Sequence, residues 1–206
     1  MTVEGPMART IEDIAIILSI IAGPNTFFPL SINESSNLFL NGLKRDFQGV
    51  KIAWAPNIAN LPMEPEIPLI MGKHLKIFEE LGCSIEETEP DLQDAEIVFK
   101  TWRAWRFELS LSRLSHPQKN LLKGTLHQEI EAAKKLKGTD LSRAELKRTE
   151  IYHRVRAFME THEFLICPVN QVPPFNVDEP YVKEINGIQM KSLSLIHISE
   201  PTRPRL

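Results

Sequence analysis

Glu150 and His153 stand at the ExxH spacing that turns both side chains to one side of a helix, the arrangement used by carboxylate-bridged metal sites. Such a site needs a second ExxH with two further glutamates set to face the pair, and no second ExxH is present. His74, His116, His127, His162 and His197 show no HxxxH or HxH pairing that would aim two imidazoles at one ion, so no metal is expected. Lys100, Arg103 and Arg106 recur every three residues beside Trp102 and Trp105, a mixture of cation and aromatic that could hold a nucleic acid strand. At a net charge of −3, the solvated face of an amphipathic helix is the better account, and no nucleic acid partner is expected. Ser35-Ser36 could supply a nucleophile only with a base and with backbone N–H donors for an oxyanion, usually from a glycine-rich turn. The nine glycines are too dispersed for that: Gly42 and Gly49, the closest two, leave six residues between them. No phosphate-cradling loop or nucleophile elbow can be built from such spacing.

The elements that position these residues follow from periodicity and capping. Thr10 is a candidate cap for a helix over Ile11–Ala22, with Asp13 near its positive end and Gly23-Pro24 as its stop. Its apolar stripe is joined by Ile16, Ile17 and Ile20 on the other faces, so this helix wants burial on nearly all sides. Arg9 and Asp13, four apart, are expected to form a salt link that sets the helix entry. Val50–Trp54 reads as a strand; a helix over Glu66–Leu81 follows, with Ile67, Met71, Leu75, Phe78 and Leu81 on one face and Gly82 as its stop. Cys83–Glu87 returns as a strand. A third helix over Asp94–Ser112 carries Val98, Trp102, Trp105 and Leu109; a fourth, from Thr139 or Asp140, carries Ala144, Ile151, Val155 and Phe158. Phe164–Cys167 is short and apolar enough for a buried strand, and the VPPFNVDEPY stretch after it is loop chemistry. Strand, helix, strand in this order is a crossover unit on a parallel sheet, so the fold class is α/β.

Composition sets the outer bounds. With 206 residues, 42% hydrophobic and 25% charged, the chain can bury a substantial core. No apolar run approaches a membrane span and MTVEGPMART has no basic n-region followed by an apolar core, so no membrane partner is expected and a cytoplasmic location is the default. Cys83 and Cys167 lie far apart without a CxxC pattern, as reduced structural thiols do.

One segment is more specific than its physics. GPMARTIEDIAIILSIIAGP, Gly5–Pro24, closely resembles the GPMART signature of the amidase signature family of serine amide hydrolases. GVKIAWAPNI (49–58), FEELGCSIEETEPD (78–91), FLICPVNQVPPF (164–175) and EINGIQM (184–190) resemble further landmarks of a stand-alone member, in order. One departure is Phe27-Phe28-Pro29, where members usually carry a polar residue before the proline.

The resemblance implies an α/β sandwich with a mixed central sheet covered by helices. It also implies a serine nucleophile activated by a second serine and a lysine, forming an acyl-enzyme that water hydrolyses. In the family that lysine and the glycine-rich serine loop precede the GPMART segment, where this sequence has only Met1–Glu4. No residue here matches a catalytic position, so catalytic, cofactor-binding and metal sites are all left empty, and no cofactor is implied. The variable region from Trp102 to the loop near Gly124 tends to line the acyl pocket in members, so Trp102 or Trp105 could touch substrate; both are also stripe residues of a helix core.

The resemblance breaks at Leu193. LSLIHISEPTR, Leu193–Arg203, matches codon for codon the in-frame translation of a sequencing-library transposase adapter, with Pro204–Leu206 as index bases. The expected organisation is therefore an incomplete amidase signature domain over 1–192, lacking its catalytic N-terminal half and its C-terminal end, and a non-native tail over 193–206. Three functions stay open: an inactive portion of an amide hydrolase whose parent takes a small-molecule amide; a non-catalytic binding or regulatory module reusing half the fold; and an amidotransferase subunit that works on misacylated transfer RNA.

Overall fold

The computed structural model describes residues 5–28, 31–41, 44–122, 124–176, 178–179 and 181–190. The stretch Leu193–Leu206, the Ser192 boundary and Pro29 lie outside them. The chain divides into two compact units, Met1–Phe47 and Gln48–Leu206.

In the first unit, α1 (Ile11–Ile21) begins where expected because Thr10, in extended conformation, accepts the Asp13 N–H on its hydroxyl at 3.1 Å. It ends at Ala22, whose N–H donates to the Leu18 carbonyl, and Gly23 at φ 113° turns the chain away. A 3₁₀ turn, Ser36–Leu40, packs against it. The expected burial on nearly all sides is not met: Ala15 alone is buried among its described residues, and Ile11, Ile16, Ile20 and Ile21 are exposed. One five-residue turn is too small to cover a helix without a charge from Ile14 to Ile21. Arg9 and Asp13 form no ion pair, because Arg9 precedes the cap in non-helical backbone and does not share a helix face with Asp13.

The second unit is built on β1 (Lys51–Trp54), β2 (Ser84–Glu87) and β3 (Phe164–Ile166), a parallel sheet in the order β2-β1-β3. Lys51 faces Ser84 and Ile52 faces Phe164, so β1, buried from Ile52 to Trp54, is the centre. The single helix expected over Glu66–Leu81 is two, α2 (Glu66–Gly72) and α3 (Leu75–Glu80), broken at Lys73-His74 just after Gly72, a poor helix former. Ile67, Met71, Leu75 and Phe78 are half-buried as expected, whereas Leu81, beyond the last turn, is exposed.

α4 (Ala95–Leu111) and α7 (Gly138–Met159) pack together, and Val98, Leu92, Ile151 and Val155 join Ala55 and Ile58 in the main core, with Leu165 of β3 against it. Burying each of these larger aliphatic side chains contributes about 1.5–3 kcal/mol before chain entropy is counted. Between α4 and α7 lie two helices that the sequence pattern does not announce: α5 (His116–Asn120) and α6 (Gly124–Lys134), the latter packed on α4. Leu126, Ile130 and Ala133 at helical spacing are the available signal for α6.

Among the described residues beyond β3, the next regular element is an antiparallel hairpin, β4 (Glu184–Ile185) and β5 (Ile188–Gln189). Its turn residues Asn186 and Gly187 both have positive φ, 46° and 77°, as a two-residue hairpin turn requires. The Asn-Gly pair between Ile185 and Ile188 is a readable hairpin signal. Ile185, with no exposed surface, forms a second small core with Val172 and Met190.

Candidate functional site

Open α/β sheets place ligands at the carboxyl ends of their strands, and there the structure holds a cleft of about 470 Å³ lined by Ala59–Leu61 after β1 and Glu89–Glu96 after β2. Its two walls are tied by Glu89, whose Oε2 accepts the Ala59 N–H at 2.8 Å. Three non-glycine residues in left-handed conformation line it: Ala59 at φ 56°, Asn60 at 51° and Asp94 at 70°. Asn and Asp tolerate that region, whereas Ala, with a bare Cβ, does so at a cost of about 1–2 kcal/mol.

α7 fixes the second wall. The Arg154 guanidinium donates to the Asp91 carbonyl at 3.0 Å and the Gln93 carbonyl at 2.7 Å, and pairs with the Asp91 carboxylate at 3.2 Å. Lys147 pairs with Asp94, and Asp91 Oδ1 accepts the Gln93 N–H. The cleft is thus rimmed by carboxylates, two of them answered by cations from one helix. Its described lining contains no serine, threonine, cysteine, lysine or histidine, so these residues supply shape and charge but neither a nucleophile nor a general base of the Ser-Ser-Lys type.

The residues singled out by spacing are distributed elsewhere. Glu150 and His153 are exposed on α7, with His153 edge-on to Tyr152, and no three of His, Cys, Asp and Glu gather into a metal-holding group among the described residues. Lys100 pairs with Glu96, and Arg103 pairs with Glu129 at 3.0 Å while lying 4.8 Å over the Phe107 ring, so two of the three cations are occupied within the helical layer. Trp102 and Trp105 meet edge to face at 5.3 Å; Trp102 packs on the main core under the Arg148 guanidinium, and Trp105 is 40% exposed. The single stripe expected for α4 is therefore buried at Val98 and opens to solvent by Trp105 and Leu109. Ser35 acts as a turn cap, accepting the Asn37 N–H at 3.3 Å. Cys83 and Cys167 are free, and burial pushes the Cys167 thiol above its usual range, which leaves it a poor nucleophile.

His74 and His127 are exposed, and His116 meets Asn120 at 3.4 Å; His197 lies outside the described residues. His162 is the buried one: Nε2 meets Glu86 Oε2 at 3.0 Å, Nδ1 meets the Thr161 hydroxyl at 3.0 Å, and the ring stacks on Phe158. Nothing in the sequence singles out Gln171. It is 3% exposed, donates its side-chain N–H to the Pro62 carbonyl and accepts the Glu64 N–H on its own backbone carbonyl at 2.9 Å. Glu64 Oε1 in turn accepts the Asn186 N–H at 2.9 Å, which ties the hairpin to the loop after β1.

Comparison with known proteins gives this architecture its relatives. The family described as Amidase matches residues 1–197. An acylamidase of Rhodococcus erythropolis is 30% identical over 167 residues, covering 80% of this chain and 35% of that protein. A glutamyl-tRNA(Gln) amidotransferase subunit from Lactiplantibacillus plantarum is 32% identical over 83 residues, 40% of this chain and 17% of its own length. Among solved structures, a bacterial aryl acylamidase of the amidase signature family superposes with a TM-score of 0.79 at 21% identity, over 93% of this chain and 42% of its own. The chain thus spans about a third of the length of the acylamidase it matches.

Proposed function

This chain belongs to the amidase family, and from that premise we propose that it forms part of a hydrolase cleaving carbon–nitrogen bonds in small acyl amides. The observation that carries the reading is the family match over residues 1–197, in which the GPMART segment leads directly into the Thr10-capped helix α1. Similarity to the acylamidase extends over 80% of the chain and that to the amidotransferase subunit over 40%. This favours a stand-alone hydrolase over a subunit that works on misacylated transfer RNA.

In this reading residues 1–192 contribute scaffold and a cleft at the carboxyl edge of the sheet, and the adapter-like tail over 193–206 is foreign to the domain although the family match runs on to residue 197. The nucleophilic serine, its bridging serine and the lysine are carried by polypeptide outside this sequence. There the serine oxygen attacks the amide carbon, its proton passes through the bridging serine and the lysine to the departing amine, and water hydrolyses the resulting ester.

Assay of the purified chain with an aryl acylamide tests the proposal. Residues 1–206 alone release no amine above buffer, whereas a product extended upstream through an in-frame lysine and glycine-flanked serine pair releases amine and accumulates an acyl adduct on serine. Hydrolysis by residues 1–206 alone would overturn the reading. Adjoining DNA with a ribosome-binding site just before Met1 and no such upstream segment would favour a non-catalytic module.

A further inference from the structure

We propose that Asn186 is a self-processing modification site: the Gly187 backbone nitrogen displaces the Asn186 side-chain amide as ammonia, and water converts the product to a carboxylate that undoes the β4–β5 hairpin. This chemistry is separate from the proposed hydrolase activity and uses no residue of the cleft.

The step needs an asparagine carboxamide, a following nitrogen that no side chain screens, and freedom for the two to meet. Asn186 and Gly187 are both exposed, and a Cβ added at Gly187 would meet nothing within 4 Å. Among the described residues, neither the Asn186 carboxamide nor the Gly187 N–H is held in a hydrogen bond. The sequence has one other Asn-Gly pair, Asn41-Gly42, and Gly42 lies outside the described residues. Elsewhere the residue after asparagine carries a side chain, as Leu61 does after Asn60 and Leu121 after Asn120.

Ring closure requires the Asn186 main chain to rotate briefly out of the turn, and the hairpin permits this. Only the pairs Glu184↔Gln189 and Ile185↔Ile188 join its strands, and a pairing so short opens locally without global unfolding. The Gly187 nitrogen then bonds to Asn186 Cγ, closing a five-membered imide. The Cγ–Nδ2 bond breaks, and Nδ2 leaves as ammonia with the proton that the Gly187 nitrogen gives up. Water opens the imide at Cγ to leave aspartate, or at the main-chain carbonyl to leave isoaspartate, whose backbone runs through Cβ and Cγ. Water is the sole co-reactant and nothing is oxidised or reduced.

Either product acts against the hairpin. The new carboxylate joins those of Glu64, which accepts the Asn186 N–H at 2.9 Å, and Glu184, which accepts from the Gln189 side chain. Like charges so placed repel. Isoaspartate also inserts a methylene into a two-residue turn whose length fixes the strand register. Ile185, with no exposed surface, then loses its place against Val172 and Met190.

The test holds the full 206-residue chain, folded, in mildly alkaline buffer over several weeks and samples it by tryptic digestion. Cleavage after Lys183 and Lys191 isolates Glu184–Lys191, in which Asn186 is the one asparagine. Conversion of amide to acid there, read by mass and by splitting of the peptide into two chromatographic forms, is expected to run at least about tenfold faster than at Asn120, because Gly187 attacks without a Cβ. It is expected to slow in mildly acidic buffer, where the attacking nitrogen keeps its proton. Exchange of the Met190 N–H, which donates to the Lys183 carbonyl at 2.8 Å, is expected to be at least about tenfold faster in the converted chain. Gly187→Ala is expected to slow conversion by at least about tenfold; since that variant also strains the turn, the comparison with Asn120 in the wild-type chain is the independent measurement. Conversion at Asn186 no faster than at Asn120, conversion seen only in denaturant, or a converted chain with unchanged Met190 exchange would each overturn the proposal.

Discussion

The Glu89 carboxylate accepts the backbone N–H of Ala59 at 2.8 Å, and Ala59 sits in a left-handed conformation that a non-glycine residue adopts only when its surroundings hold it there. Glu89→Ala is expected to lower stability by about 1–2 kcal/mol, because it strands a partly buried amide and frees the strained residue. Ala59→Gly removes the strain itself and is expected to raise stability by roughly 0.5–1 kcal/mol. Urea midpoints of the two variants, with opposite signs of shift, check both.

Arg154 secures the β2–α4 loop with two carbonyls and one carboxylate, a forked geometry that a lysine cannot reproduce. Arg154→Lys is therefore expected to lose about 1–2 kcal/mol despite keeping the charge, since at least one charge-assisted bond is broken. A thermal melt measures the loss, and proteolysis within residues 89–94 should accelerate in step with it.

Cys167 has its thiol raised above the ordinary value of 9.0 by burial. The unfolded chain gives up that proton first, so the contribution of this group is fully present below pH about 9 and is lost as pH rises through the folded value. Stability measured from about pH 8 to about pH 10.5 should decline more in the wild-type chain than in Cys167→Ala, and alkylation at about pH 8 should be slower at Cys167 than with a free small-molecule thiol. Equal pH dependence in the two proteins would remove this assignment.

Ile16 and Ile20 stand exposed on α1, which carries no charge from Ile14 to Ile21. The chain expressed alone is expected to be poorly soluble, and Ile16→Lys with Ile20→Lys should raise soluble yield several-fold while leaving the stability of residues 48–190 within about 0.5 kcal/mol. A wild-type chain that stays monomeric at high concentration would count against this.

Gly82 takes φ 89°, and an added Cβ would run into the Gln48 side chain and lie 3.1 Å from its Cα. Gly82→Ala therefore combines left-handed strain with a steric clash and is expected to cost about 2 kcal/mol or more. The same substitution at Gly187, at φ 77° in open space, should cost about 1 kcal/mol. The difference between the two melting temperatures isolates the clash.

What the sequence disclosed and what it withheld divide along physical lines. Local signals were legible: the Thr10 cap, the β1–β2 crossover and the Val98, Ile151 and Val155 core positions all appear where periodicity and capping place them. Long-range pairings were not, because nothing in the spacing of Glu89 and Ala59, or of Gln171 and Pro62, marks them as neighbours. The break at Lys73-His74 had a local signal in Gly72 that was outweighed by the longer apolar pattern around it, and the hairpin at Asn186-Gly187 had one in the Asn-Gly pair, within a segment legible mainly as a family landmark. The family landmarks told more about ancestry than about chemistry, since the described lining of the cleft holds no serine and no lysine.

Glu64 gives its N–H to the Gln171 carbonyl and takes the Asn186 N–H on its carboxylate, so the loop after β1 is tied to the chain on both sides of the Val172–Ile185 core. Residues between Val172 and Val182 therefore span a gap whose two ends are fixed independently of how much chain lies between them. Changes in the length of that interval are therefore tolerable while both links persist, and of the two only the one to Asn186 depends on a side chain, the Glu64 carboxylate.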